Sequence, residues 1–204
     1  MHYFSDADPA AVSELHLLKL SARGFDLQMW VGSQVFSASK LDLGTAQLLK
    51  VAPPLPPSGR FLDLGCGWGP LAVTMGLEAP QAKVWAVDVN RRALAMAERN
   101  AQVNSTKNVE FRMEEDALRV LQEAVDPITF EVIWSNPPMR IGKTKTQTLL
   151  KRWLEYLSPT GAAYLVCAKN LGADSLITWL GGQGFMAQKI ASKKGYRIIE
   201  VTKQ

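Results

Sequence analysis

Beyond residue 59 the chain alternates short apolar stretches with longer segments whose apolar residues recur every three or four positions. That is the pattern of strands alternating with amphipathic helices. Residues 60–64 read as a first strand, followed by a glycine-rich turn and a helix over about 70–79. Residues 83–87 form a second strand, and Asn90 is placed to cap a helix whose Ala93, Leu94, Ala97 and Ala101 share one face. A third strand follows at 108–112, then a short helix opened by Asp116 and carrying Leu118 and Leu121, then a fourth strand at 130–134. The spacing of Leu149, Leu150, Trp153 and Leu157 predicts a helix over 144–157. The nearly all-apolar run 162–167 predicts a strand buried on both faces. A helix at 174–180 and strands near 185–190 and 196–201 complete the pattern. With no helix between them, the last two strands read as a hairpin, which makes one late strand antiparallel.

This alternation dictates an α/β fold, a mostly parallel sheet with helices on both faces. Ahead of it, four prolines crowd into residues 51–59. They cannot continue a helix or a central strand, so the stretch is a stiff connector. It separates a small N-terminal extension, residues 1–50, from a main domain over 60–204. Within the extension, residues 25–32 read as one strand of a β-hairpin. No internal repeat is present.

Composition narrows the function classes. A chain of 204 residues that is 47% hydrophobic supports one domain with a sizeable core. No apolar run approaches the ~20 residues of a membrane helix. The opening Met-His-Tyr-Phe-Ser-Asp lacks the basic and apolar regions of a signal peptide. Cys66 and Cys167 are expected as free thiols in a reducing, cytoplasmic setting. With two histidines and no Cys/His cluster at ligand spacing, no metal is expected. A net charge of +4 leans toward anionic partners and offers no membrane signature. A monomer is the working expectation.

Two turns carry the chemistry. Asp63-Leu64-Gly65-Cys66-Gly67-Trp68-Gly69-Pro70 joins the first strand to its helix, where open α/β sheets bind ligands. Dinucleotide sites show G-x-G-x-x-G; here Pro70 stands where the third glycine of that pattern falls. Asp63, two positions before the first glycine, suits a ligand bearing a cationic ammonium rather than a pyrophosphate. Asp88, after the second strand, can take both hydroxyls of an adenosine ribose. Glu114, Glu115 and Asp116 are candidates for the adenine amino group, and Val89 and Ala117 flank these acids. Trp68 is placed to touch or cover the ligand. The second turn, Ser135-Asn136-Pro137-Pro138, follows the fourth strand. Its prolines fix the backbone, so that the Asn136 oxygen and a proline carbonyl can both accept from an –NH₂ group. An amine held that way points its lone pair at an electrophilic methyl, and positioning replaces a strong base.

Together these segments resemble the cofactor- and amine-binding motifs of class I S-adenosyl-L-methionine (SAM)-dependent N-methyltransferases. More narrowly, the chain resembles the small methyltransferase domain of ribosomal RNA small subunit methyltransferase C and its single-domain archaeal relatives. Val35-Phe36-Ser37, Leu41-Asp42-Leu43-Gly44-Thr45, Asn136 through Lys143, and Lys194-Gly195-Tyr196-Arg197 carry that narrower likeness, which covers nearly the whole chain. It implies a Rossmann-like seven-stranded sheet, SAM as donor with S-adenosyl-L-homocysteine as product, and guanine N2 in ribosomal RNA as the target. It also implies Gly65, Cys66 and Gly67 around the methionine part, Asp88 on the ribose, and Asn136, Pro137 and Pro138 at the reacting amine. The segment 36–45 is implied to lie over the cofactor. Met139, Arg140 and Lys143 are the candidate substrate contacts; family members often carry Phe or Tyr where Met139 stands. Lys145, and Lys189, Lys193, Lys194 and Arg197 near the end of the chain, are further candidates for phosphate.

Three other readings remain open. A protein glutamine amide is also an –NH₂ group, although enzymes of that kind usually carry Tyr after the prolines. A small-molecule amine is not favoured by the basic charge. A SAM-binding, RNA-binding factor without catalysis has no need of an amine-orienting turn.

Overall fold

The computed structural model describes residues 15–32 and 40–204. Val35, Phe36 and Ser37 lie outside the described residues. A seven-stranded sheet forms the centre, in the order β5-β4-β3-β6-β7-β9-β8. Its strands are β3 (Ser58–Leu64), β4 (Gln81–Asp88), β5 (Val109–Met113), β6 (Phe130–Ser135), β7 (Leu157–Ala168), β8 (Phe185–Lys193) and β9 (Tyr196–Lys203). All neighbours pair in parallel except β9, which runs antiparallel to both β7 and β8. The late hairpin and its single antiparallel strand are therefore as the sequence predicts.

The helices are α1 (Leu43–Val51), α2 (Pro70–Glu78), α3 (Arg91–Val103), α4 (Glu114–Glu123), α5 (Lys143–Leu154) and α6 (Ala173–Gly181). One apolar cluster joins α1, α2, α3 and one sheet face; a second joins α4, α5, α6 and the other. Phe61 goes to the first and Leu62 to the second, as alternation along a doubly covered strand requires. Local chemistry sets the helix starts. Asn90 Oδ1 accepts from the N–H groups of Arg92 and Ala93, capping α3 as expected. Pro70 opens α2 where a missing N–H costs nothing.

Several boundaries differ from the sequence reading: Val51 and Ser58-Gly59 of the expected connector belong to α1 and β3, and two further shifts have a clear cause. Asp116 lies within the first turn of α4, which begins at Glu114. Leu157 is the first residue of β7 and pairs with Phe130, while α5 stops at Leu154. Its spacing from Trp153 mimics a helix face, but the pairing with β6 claims it.

The N-terminal hairpin, β1 (Leu15–Ala22) and β2 (Phe25–Gly32), turns through Arg23 (φ 51°) and Gly24 (φ 87°). Both central residues are left-handed, as a tight hairpin of the right twist demands. The non-glycine cost at Arg23 is offset by its guanidinium, which binds the Glu78 carboxylate and the carbonyls of Ala52 and Pro53 at 2.7 and 3.0 Å. The other edge of β2 is closed by side chains. Asn100 Oδ1 accepts from Trp30 N–H at 2.6 Å, and its Nδ2 donates to the Trp30 and Trp68 carbonyls, each at 2.9 Å. One turn along α3, Asn104 exchanges the same pair of bonds with Gln28. Four residues of helix rise about 6 Å and two residues of strand about 6.6 Å, so the two amides match the repeat of the strand edge.

Asn100 is fully buried, and its loss strands three backbone groups. Asn100→Ala is expected to destabilise the protein by about 2–4 kcal/mol in denaturant unfolding. Because Trp68 belongs to the glycine turn, ligand affinity should fall as well. An unchanged unfolding midpoint would show that water replaces the amide.

Candidate active site

The site sits where the strand order reverses. β3 and β6 are parallel neighbours, with Leu64 beside Ser135, and the Ser135 hydroxyl donates to the Leu64 carbonyl at 2.7 Å. The residues that follow, Gly65 and Asn136, therefore emerge side by side. They line one hollow of about 40 Å³ together with Cys66, Gly67 and Trp68. Its other walls come from the start of α1, through Leu41, Asp42 and Thr45, and from the start of α2, through Pro70 and Leu71.

The glycine turn is held from β4: the N–H groups of Gly65 and Cys66 both donate to the Val87 carbonyl, at 2.8 and 3.0 Å. Gly65 (φ 75°) and Gly67 (φ 56°) are left-handed, and a Cβ built on either meets nothing within 4 Å. They thus leave open space for a ligand against bare backbone. Behind the turn, Asp63 is wholly buried. Its Oδ2 accepts from Ala72 N–H at 2.9 Å, whereas Oδ1 is buried without a partner. Burial foremost, opposed by the Ala72 hydrogen bond and reinforced by the Asp88 charge, pushes its carboxyl up to about 8. Such a group is suited to a cation. The open cradle and the unpartnered acid together fit the methionine end of SAM. Burial also raises the Cys66 thiol well above its usual range, with Asp88 and Asp63 adding to the effect; Cys66 is a neutral lining residue.

Asp88 ends β4. It accepts from Gly67 N–H through Oδ2 and from Asn90 N–H through Oδ1, each at 2.9 Å. Burial raises its pKa; hydrogen bonds from Gly67, Asn90 and Val89 oppose this, and the Glu114 charge adds to it. The neighbouring Val89 side chain is exposed. Asp116 pairs with Arg119, and Ala117 is buried against the second apolar cluster. Glu114 turns toward α5 and accepts from Trp153 Nε1 at 3.0 Å. Asp88, Val89, Asp116 and Ala117 all stand outside the 40 Å³ hollow, further along the carboxyl ends of β4 and β5.

The Asn-Pro-Pro turn has a defined shape. Met139 N–H donates to the Pro137 carbonyl at 2.8 Å, and Pro138 has φ −73° and ψ 76°. This is an inverse γ-turn, to which the proline ring is pre-set. One lone pair of the Pro137 carbonyl is thereby used within the turn, and the second remains for an outside donor. The Thr146 hydroxyl donates to the Pro138 carbonyl at 3.1 Å, tying the turn to α5. Asn136 Nδ2 donates to Asp42 Oδ1 at 2.7 Å and to Thr45 Oγ1 at 3.1 Å. The sequence implies, by resemblance, that the segment holding Asp42 and Thr45 lies over the cofactor, but it assigns neither residue a part in holding Asn136. The signal available was their helix-capping spacing, which says nothing of a partner 94 positions away.

Met139 and Lys143 line a second hollow, of about 100 Å³, with Gln147 of α5, Leu171 just ahead of α6, and Ser175 and Leu176 in its first turn. Arg140 is exposed beside it. Lys145, Lys189, Lys193 and Lys194 are exposed, whereas Arg197 is mostly buried and held by Asp174 at 2.7 Å. Among the described residues no cluster of His, Cys, Asp or Glu could hold a metal, and no helix is long and apolar enough to cross a membrane.

The family model of the methyltransferase small domain matches residues 26–200. The chain is 30% identical over 202 residues to the Bacillus subtilis protein YbxB, covering 99% of this chain and 98% of that one. To ribosomal RNA small subunit methyltransferase C of Hahella chejuensis it is 36% identical over 149 residues, 71% of this chain and 41% of the relative. A T. thermophilus 16S rRNA N2 methyltransferase, solved with AdoMet and guanosine, shares the fold with a TM-score of 0.73 at 22% identity. That match covers 98% of this chain and 53% of the other, so the chain spans about half the length of the ribosomal RNA methyltransferases it resembles. A match of this extent makes the chain a member of the methyltransferase small domain family, an enzyme that takes its methyl group from S-adenosyl-L-methionine.

Proposed function

We propose that the enzyme methylates the exocyclic N2 amine of a guanine in RNA, with ribosomal RNA as the natural source. The observation that carries this reading is the junction of the Asn136-Pro137-Pro138 turn with the glycine turn: Asn136 lines the same hollow as Gly65 and Gly67. On this reading Asp63, Gly65, Cys66 and Gly67 hold the methionine part. Asp88 and Val89 serve the ribose, and Asp116 and Ala117 the adenine side. When bound, SAM supplies an electrophilic methyl on sulfur; transfer leaves S-adenosyl-L-homocysteine and a proton, which passes to water.

The chain's own contribution is positioning. Asn136 Oδ1 and the second lone pair of the Pro137 carbonyl accept the two N–H bonds of the amine, which turns its lone pair toward the glycine turn. The second hollow, on the Met139 side, offers an apolar wall and the Gln147 amide to a planar base. Lys143 lines it, and the exposed Arg140 and Lys145 flank Lys143 in the chain, where a phosphate backbone would pass. The names of the ribosomal RNA methyltransferase relatives support an RNA acceptor.

Labelled SAM, incubated with total RNA and with ribosomal subunits, tests the assignment. Digestion of labelled RNA should yield N2-methylguanosine. Asn136→Ala should lower turnover by about 10²–10³-fold and leave SAM affinity within a few-fold. Label on protein glutamine instead of RNA would overturn the reading.

Asp63 generates a pH-dependent expectation. Its folded value of about 8 lies above the unfolded value of about 3.9. Its contribution to stability is therefore complete below the unfolded value and is lost as pH rises through about 8. A bound cation favours the charged carboxylate, so SAM binding releases a proton below that point. Calorimetry should show affinity rising between about pH 6 and 8, by at most tenfold per unit. Asp63→Asn should flatten that dependence, weaken binding and raise the melting temperature of the ligand-free protein above about pH 8. A slope that persists in Asp63→Asn would assign it to another group.

A further inference from the structure

We infer that Asp42, at the start of α1, is a positioning residue that fixes which way round the Asn136 amide stands and so switches Asn136 on as an acceptor. This rests on the reading that Asn136 Oδ1 receives the amine. An asparagine amide carries an acceptor oxygen and a donor –NH₂ on nearly the same shape, and a half-turn about χ2 exchanges them. Only one orientation serves an incoming amine, because –NH₂ facing –NH₂ forms no hydrogen bond. Nothing in Asn136-Pro137-Pro138 chooses between them: the prolines set the backbone and leave the amide free to turn.

The choice is made from across the site. Asn136 Nδ2 uses both of its N–H bonds, on Asp42 Oδ1 at 2.7 Å and on Thr45 Oγ1 at 3.1 Å. Thr45 alone cannot decide, since a hydroxyl donates or accepts. Asp42 Oδ1 already accepts from the Thr45 N–H, so a turned amide sets oxygen against oxygen. With both N–H bonds occupied, Oδ1 is the remaining function of a residue that lines the SAM hollow.

Asp42 is itself held in place. The same Oδ1 accepts from Thr45 N–H at 3.0 Å and caps α1. Gly44 is required next to it: a Cβ there would stand 2.9 Å from Asp42 Oδ1 and 2.9 Å from the Tyr196 ring. One oxygen thus caps the helix and orients the amide, so Asn136 is a competent acceptor only while α1 is docked on the sheet.

Substitutions separate this from a structural role. Asp42→Ser keeps the cap, since Ser and Asp cap about equally well, but a hydroxyl both accepts and donates, so it tolerates either orientation of Asn136. Its melting temperature and SAM affinity should stay near wild type, while kcat on total RNA falls about tenfold or more with little change in KM. Asn136→Asp alone opposes two carboxylates and should be nearly inactive. The double variant Asp42→Ser/Asn136→Asp restores one donor facing one acceptor and leaves an oxygen free in the hollow. It should recover about tenfold over Asn136→Asp.

A readout independent of turnover is the Asn136 side-chain –NH₂ pair in a ¹⁵N–¹H spectrum, identified by its loss in Asn136→Asp. Its protons should exchange slowly in the wild type and about tenfold faster in Asp42→Ser. Activity retained in Asn136→Ala would overturn the amine-acceptor reading on which the inference rests. An inactive Asn136→Ala beside a fully active Asp42→Ser, with no rescue in the double variant, would overturn the role of Asp42 alone. Unchanged amide exchange in Asp42→Ser would do the same.

Discussion

The chemistry of this protein depends on the side-by-side pairing of β3 and β6 at the centre of the sheet. From β3 the chain winds outward through β4 and β5, then returns to the other side of β3 as β6. At such a reversal no helix covers the carboxyl ends, and a crevice is left. The register, with Leu64 against Ser135, sets the glycine turn and the Asn-Pro-Pro turn at the same level. A slip of one residue would exchange the two faces of the strand and turn buried Asp63 away from Ala72 at the start of α2. The Ser135 hydroxyl, bonded to the Leu64 carbonyl, closes the pair at the point where both strands end.

A second constraint comes from the N-terminal segment, which belongs to the same apolar cluster as α2 and α3. The hairpin is clamped at its turn by Arg23 and along its edge by Asn100 and Asn104. Arg23 reaches the carboxyl ends of both α1 and α2, through Ala52 and Glu78. Asn100 bonds β2 and the glycine turn with one side chain. The start of α1 then forms a wall of the 40 Å³ hollow. The N-terminal elements are thus bonded to the parts that line it.

The electrostatics of the site run from acidic to basic across the two turns. On the side of the glycine turn, the Asp88 charge raises the Asp63 carboxyl and the Glu114 charge raises that of Asp88, each adding to burial. The cost of holding buried acids together falls when a cation joins them, and SAM carries an ammonium and a sulfonium. On the far side of the Asn-Pro-Pro turn the side chains are Arg140, Lys143 and Lys145, the opposite sign and suited to an anionic acceptor. On the proposed reading, a positively charged donor and a polyanionic acceptor would be drawn to opposite sides of one turn.

Much of this was legible in the sequence because it is local. Alternating periodicity determined the strands and helices after residue 59, Asn90 and Pro70 marked helix starts, and the absence of a helix between the last two strands marked the hairpin. The two turns announced themselves because glycine and proline restrict the backbone within a few residues. Leu157 misled because its spacing fits a helix as well as a strand, and only the neighbour Phe130 decides. The helix α1 escaped because it stands ahead of the first sheet strand, outside the strand–helix alternation that marked the others. What only the tertiary structure decided is pairing over distance: Asn100 with Trp30 and Trp68, Asn136 with Asp42, the unpartnered oxygen of Asp63. A side-chain amide or carboxylate does not encode its partner in its own neighbourhood; the partner is chosen by which strand ends and helix starts the sheet brings together.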